Sequence, residues 1–184
     1  MSGCSQSPID LGVAVPSEPL DLAIDYSPSV HHGHDAGTTH NVPVSSGHSI
    51  SYGGRGYELD SYHFHTPSEH SIAGEFAAAE IHLVHTNAAG DVAVLGVLVD
   101  EKEEAAGPLH FGEPTSIESL LPDTTTHYAY EGSLTRPPYT EGVVWIVMKE
   151  RITRRPEWIE TFKEQYGANN RPLQPLNGRT VTLG

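Results

Sequence analysis

Cysteine is nearly absent from this 184-residue chain: Cys4 is the only one. A disulfide within the chain is therefore excluded, as is any zinc or iron–sulfur site built from several thiolates. Basic residues are scarce too, with 10 Lys and Arg against 24 Asp and Glu and a formal net charge of −14. Nucleic acid and anionic membranes both demand clustered cations, so neither is an expected partner. Long apolar runs are also missing. The longest, Val92–Val99, falls far short of the roughly 20 residues of a spanning helix. Met1–Pro8 holds neither the basic nor the apolar stretch of an export signal. As it stands the chain reads as cytoplasmic; a longer natural N-terminus would make a periplasmic or extracellular location the alternative. What is abundant is histidine, with 12. Without thiolates, a transition metal would take its ligands mainly from His and carboxylates.

Breakers are frequent, 18 Gly and 14 Pro, and divide the chain into short segments. Patterning predicts strands over Leu20–Tyr26, Tyr57–His65, Ala78–Thr86, Val92–Val99, Gly142–Met148 and Thr180–Leu183. Val92–Val99 is apolar throughout, which suits a strand covered on both faces. Residues 27–56 read as loops and short strands. A helix is predicted over Pro156–Tyr166, with Pro at its first position, acids in its first turn and Gly167 at its end. A single helical turn is expected over Ser116–Leu120. Residues 1–184 read as one mainly β (α+β) domain with a few short helices.

Residues two apart on a strand share a face. His63 and His65 therefore point together from one strand, and Glu80, His82 and Val84 from another. If the two strands are neighbours, three imidazoles converge with no obvious fourth protein ligand. Zinc held by three His with one open position is a catalytic geometry. Glu80 would then accept the spare ring N–H of a ligand His. A His-x-His pair by itself is equally compatible with an ordinary half-buried strand.

The wording around these residues resembles the α-class carbonic anhydrases. His63-Phe64-His65-Thr66-Pro67-Ser68-Glu69-His70 is similar to that family's FHFHxPSEH stretch, and Ala79-Glu80-Ile81-His82-Leu83-Val84-His85 to its [AL]E[LIM]HLVH stretch. Gly132–Val143 resembles GSLTTPPCTEGV, Gln6–Asp10 the QSPI[DN] opening, and Asn169–Pro175 the NNRPxQP motif. These motifs stand in family order along nearly the whole chain. The resemblance implies a large, mostly antiparallel, twisted central β-sheet. It also implies a zinc enzyme that hydrates CO2 reversibly to bicarbonate and a proton, through attack of a zinc-bound hydroxide. Zn²⁺ would be the cofactor, with CO2 and bicarbonate the partners. His63, His65 and His82 would ligate the zinc, and Glu80 would support the ligand set. Thr135 would sit beside the hydroxide, passing its own hydroxyl proton into a hydrogen bond with Glu69. Val84, Val94, Leu134 and Trp145 would form the apolar wall where CO2 rests.

The chain also departs from the family pattern. Only five residues precede Gln6, and the stretch between Val99 and Ser119 is shorter than the family's. Both features suggest a reduced fold, with stability leaning on packing or on assembly into a homo-oligomer. Arg136 replaces the second Thr of the family motif and would place a cation near bicarbonate. For proton transfer, His31-His32-Gly33-His34 is worded like a family shuttle segment, whereas gapless spacing puts Thr38 at that position; His34 and His40 remain the candidates. Two other readings stand beside this one. A carbonic-anhydrase-like domain of weak or lost activity would act as a binding surface. A cupin-type metalloenzyme would use His63-x-His65-x3-Glu69 with Glu69 as a ligand, but it requires a later Pro-x-Gly-x2-His motif that this sequence does not contain.

Overall fold

A computed structural model describes residues 3–18, 20–27, 30–31, 42–44, 46–107 and 115–184. Eleven strands form its main sheet: β1 (Val15–Pro16), β2 (Leu22–Tyr26), β3 (Val42–Pro43), β4 (His48–Tyr52), β5 (Arg55–His65), β6 (Ala79–Thr86), β7 (Val92–Glu101), β8 (His127–Ser133), β9 (Glu141–Met148), β10 (Ile152–Arg154) and β11 (Thr182–Leu183). Their order is β1-β11-β8-β9-β7-β6-β5-β4-β2, with β10 also paired to β7 and β3 to β5. Most pairs are antiparallel, as expected. The β7–β9, β7–β10 and β1–β11 pairs are parallel, which makes the sheet mixed.

The predicted segments form, with shifted ends. Leu20 and Asp21 stay outside β2, Thr180 and Val181 outside β11, and β5 begins at Arg55. The expected turn over Ser116–Leu120 is a 3-10 helix confined to Glu118–Leu120. Sequence patterning misses β8 entirely. Six of its seven residues are buried, so no apolar–polar alternation marks it. The short β10 is missed for want of length.

Period-2 alternation sorts the central strands into two cores. Ala93, Leu95, Val97 and Val99 point to one face, with Ile81, Leu83, Phe64 and Ile146. This face is covered by the helix α1 (Pro156–Tyr166). Extended Arg155 leads into Pro156, Glu157 and Lys163 match the helix dipole, and Gly167 ends it at φ 68°. Its buried Trp158, Ile159 and Phe162 contribute about 1.5–3 kcal/mol each.

The other face carries Val94, Leu98, Tyr130, Trp145 and Val147. Here the pairing registers set side chains in rows across the strands. One row runs Tyr130–Trp145–Val94–Val84–Ser61, and the next runs Val147–Gly96–His82–His63. The absence of a side chain at Gly96 matters: a Cβ there would stand 3.0 Å from Glu80 Oε1 and 3.3 Å from Val147. Among the described residues, no helix is long and apolar enough to cross a membrane.

Candidate active site

Strands β5 and β6 are neighbours, which is the condition the histidine argument required. His63 lies directly opposite His82, and His65 opposite Glu80. The ring centroids of His63, His65 and His82 are 5.1, 5.2 and 4.7 Å apart pairwise. One ligand nitrogen from each falls within 4.8 Å of the others, and all three residues are buried.

Hydrogen bonds orient two of these rings. His65 Nδ1–H donates to the Asn169 carbonyl at 3.2 Å, which leaves the Nε2 lone pair for a metal. His82 Nε2–H donates to Glu80 Oε1 at 3.0 Å and leaves Nδ1. Three ligand nitrogens within 4.8 Å of one another, with the opposite edges of two rings tied back, fit a zinc ion in both donor type and tautomer. Burial and the neighbouring His82 hold the pKa of His63 well below the ordinary histidine value, and the same causes push His65 down to about 3. Both imidazoles are therefore neutral, the form a metal needs.

Glu80 is saturated with donors. Its Oε2 accepts the backbone N–H groups of Glu69 (2.9 Å) and His70 (2.8 Å), and its Oε1 accepts His70 Nδ1–H (2.7 Å) as well as His82. Burial alone would raise its pKa, but His70 and His82 outweigh it and the carboxyl lies well below its usual range. Behind it, His70 Nε2 meets the Tyr130 hydroxyl at 2.7 Å, which in turn lies 2.9 Å from Ser7 Oγ. His70, Glu80 and His82 also form a cluster of metal-ligand types, but their polar atoms are engaged with one another.

Glu69 is 1% exposed, although its type and local sequence alone would suggest a surface acid. Its Oε1 accepts the Arg171 N–H at 2.8 Å. Burial raises its pKa to about 7, against the lowering effect of hydrogen bonds from the Thr135 side chain and from Arg171. Glu69 belongs to neither metal-ligand cluster among the described residues, which opposes the cupin arrangement.

Thr135 is buried just after β8, in a turn closed by Leu134 N–H to the Thr140 carbonyl at 2.9 Å. Val84, Val94, Leu134, Trp145 and Arg136 all line one cavity of about 440 Å³, together with His63, His82 and Thr135. Trp145 is held by its indole N–H on the Ser133 carbonyl (3.0 Å) and packs edge-on against His70 and His82. His34 and His40 lie outside the described residues. Sequence reasoning assigned no role to Asn169 and Arg171, although both sit in the NNRPxQP motif. It missed Tyr130 and Gly96, which carry no local signal.

The sequence profile of the eukaryotic-type carbonic anhydrases matches residues 1–184. The carbonic anhydrase of Pectobacterium atrosepticum is 34% identical over 201 residues, covering 98% of this chain and 80% of that protein. That of Nostoc sp. is 35% identical over 199 residues, covering 97% and 75%. Among solved structures, the α-carbonic anhydrase of Thermovibrio ammonificans in complex with the inhibitor sulfanilamide superposes with a TM-score of 0.88 at 34% identity, over 98% of this chain and 87% of that one. Dioscorin complexed with ascorbate also shares the fold, with a TM-score of 0.86 at 29% identity over 98% and 86%. Profile, relatives and fold agree over almost the whole length, and the chain belongs to the eukaryotic-type, or α-class, carbonic anhydrase family, as an enzyme of reversible CO2 hydration.

Proposed function

We propose that residues 1–184 form a single catalytic domain in which His63, His65 and His82 hold a zinc ion and the adjoining cavity receives CO2. The observation that carries this reading is the set of three buried ligand nitrogens within 4.8 Å, two of the rings tied back by Asn169 and Glu80. Zinc bound there would supply hydroxide at neutral pH by lowering the pKa of a water to about 7, a value established for carbonic anhydrases themselves.

The protein groups then divide the remaining work. Glu80 stays ionised and holds His82 in the tautomer that offers Nδ1. The Thr135 hydroxyl donates to Glu69, so its oxygen lone pairs are left to accept from the attacking hydroxide and aim it. The Thr135 backbone N–H polarises an oxygen of CO2. Val84, Val94, Leu134 and Trp145 give the uncharged substrate an apolar resting place. Zinc held there would supply the hydroxide that converts CO2 to bicarbonate, and His34 and His40 are the proposed relays for the proton that leaves the replacing water. A binding-only role is disfavoured, because all three ligand positions are His and Glu69, Glu80 and Thr135 are all present.

Stopped-flow CO2 hydration with zinc analysis of the same sample tests the assignment. One zinc per chain and hydration well above the buffer rate are expected, both lost in His82→Ala. Wild-type protein without zinc after gentle purification, or no faster than buffer, rejects it.

A further inference from the structure

The three proposed ligands are not held equally. His65 and His82 each have their outer nitrogen fixed by a hydrogen bond. His63 does not: its Nδ1 is buried and has no hydrogen-bond partner among the described residues. The surroundings of His63 explain why. The residue that shares its strand face two positions earlier is Ser61, which lines the same cavity. Across the sheet, Ser61 is flanked by Val84 on β6 and Pro43 on β3, neither of which carries a side-chain acceptor. Side chains at i and i+2 are about 6.6 Å apart along a strand. A hydroxyl on a one-carbon stem closes little of that gap, whereas a glutamine amide, two carbons further out, closes most of it.

We infer that His63 binds metal through Nε2 as the unsupported ligand of the site, and that the short side chain at Ser61 is the cause. Packing against His65 and His82 confines the ring, but no acceptor on Nδ1 fixes its orientation or raises its basicity. Zinc loss therefore begins with release of His63, while His65 and His82 keep their geometry. The consequence is a metal centre that exchanges faster than one with all three ligands tied back. This inference rests on the ligand assignment above.

The test measures zinc release from the loaded protein into excess chelator, without reference to turnover. Ser61→Gln places an acceptor beside Nδ1 and should slow release about 10-fold, within the range that outer partners of ligand His command. Ser61→Ala should release zinc at the wild-type rate. If Ser61→Ala accelerates release as strongly as Glu80→Gln, Ser61 already supports His63 and the inference falls. A folded, zinc-loaded Ser61→Gln that releases at the wild-type rate also overturns it. Imidazole N–H resonances of the wild-type zinc protein provide a check independent of any variant. The His63 Nδ1–H should exchange with solvent faster than the N–H groups of His65 and His82, and equal protection would count against the inference. Failure of the ligand assignment reads differently: the chain would take up no zinc, or His63→Ala would retain it fully.

Discussion

His63 and His82 face each other directly across the β5–β6 pair, with ring centroids 5.2 Å apart. That register sets the site. Because side chains alternate, a slip of one residue would turn one of the two rings to the helix-covered face and separate them. The same register places His65 opposite Glu80, so the carboxylate that steadies His82 also lies within the ligand cluster's own rows.

Glu80→Gln should weaken zinc binding 10–100-fold. Four N–H donors converge on the carboxylate, and an amide nitrogen in place of one oxygen would confront at least one of them. Competition with a chelator of known affinity measures the effect, and undiminished affinity would remove Glu80 from its supporting role.

Thr135→Val keeps the shape and removes the hydroxyl. Zinc content should remain one per chain while kcat/KM for CO2 hydration falls about 10²-fold, the scale of losing one aimed hydrogen bond. Glu69→Gln should fall in the same direction, since it disturbs the same Thr135 contact. Full activity in Thr135→Val would exclude the orienting role.

Arg136 is the one Lys or Arg among the described residues lining the cavity. Arg136→Thr should raise KM for bicarbonate and the inhibition constants of small anions by about fivefold, equivalent to the ~1 kcal/mol upper range of an exposed charge pair. Unchanged anion inhibition and unchanged bicarbonate kinetics would show that the cation plays no part in anion binding.

His85 lies on the opposite face of β6 from His82, with Nε2 2.7 Å from the Tyr26 hydroxyl. Burial pushes its pKa down to about 4, from about 6.5 for an ordinary histidine. As pH falls from 6.5 the unfolded chain takes up this proton first, so stability declines until the folded state also binds it near pH 4. The total loss is roughly 3 kcal/mol. Urea unfolding at several pH values should show a shallower decline for His85→Gln than for wild type over that window. Parallel profiles would dismiss His85 as a source of acid sensitivity.

His34 and His40 are tested by buffer dependence. If either relays protons, its replacement by Ala should lower turnover in weak buffer and leave it near wild type in concentrated imidazole. Wild-type rates in weak buffer for both variants would eliminate both.

Much of the candidate site was legible before the structure because its signals are local. Alternation put His63 with His65 and Glu80 with His82, and Pro156 and Gly167 marked α1 at both ends. What escaped has a common physical origin in burial and sequence distance. Strand β8 is buried on both faces and so lacks the alternation that reveals a half-buried strand, and Tyr130, which sits behind His70, was lost with it. Asn169 reaches His65 across 104 residues of chain.

By itself, the sequence determined which chemical groups are available: imidazoles and carboxylates without thiolates, an acidic surface, and side chains of fixed periodicity on short strands. Tertiary structure decided which of them meet. The registers of β5 with β6 and of β6 with β7 bring His63 beside His82 and open space for Glu80 over Gly96. Those registers also leave His63 Nδ1 buried without a hydrogen-bond partner among the described residues. The reason is that strand pairing, unlike strand formation, depends on contacts between residues distant in the chain, and no local pattern encodes them.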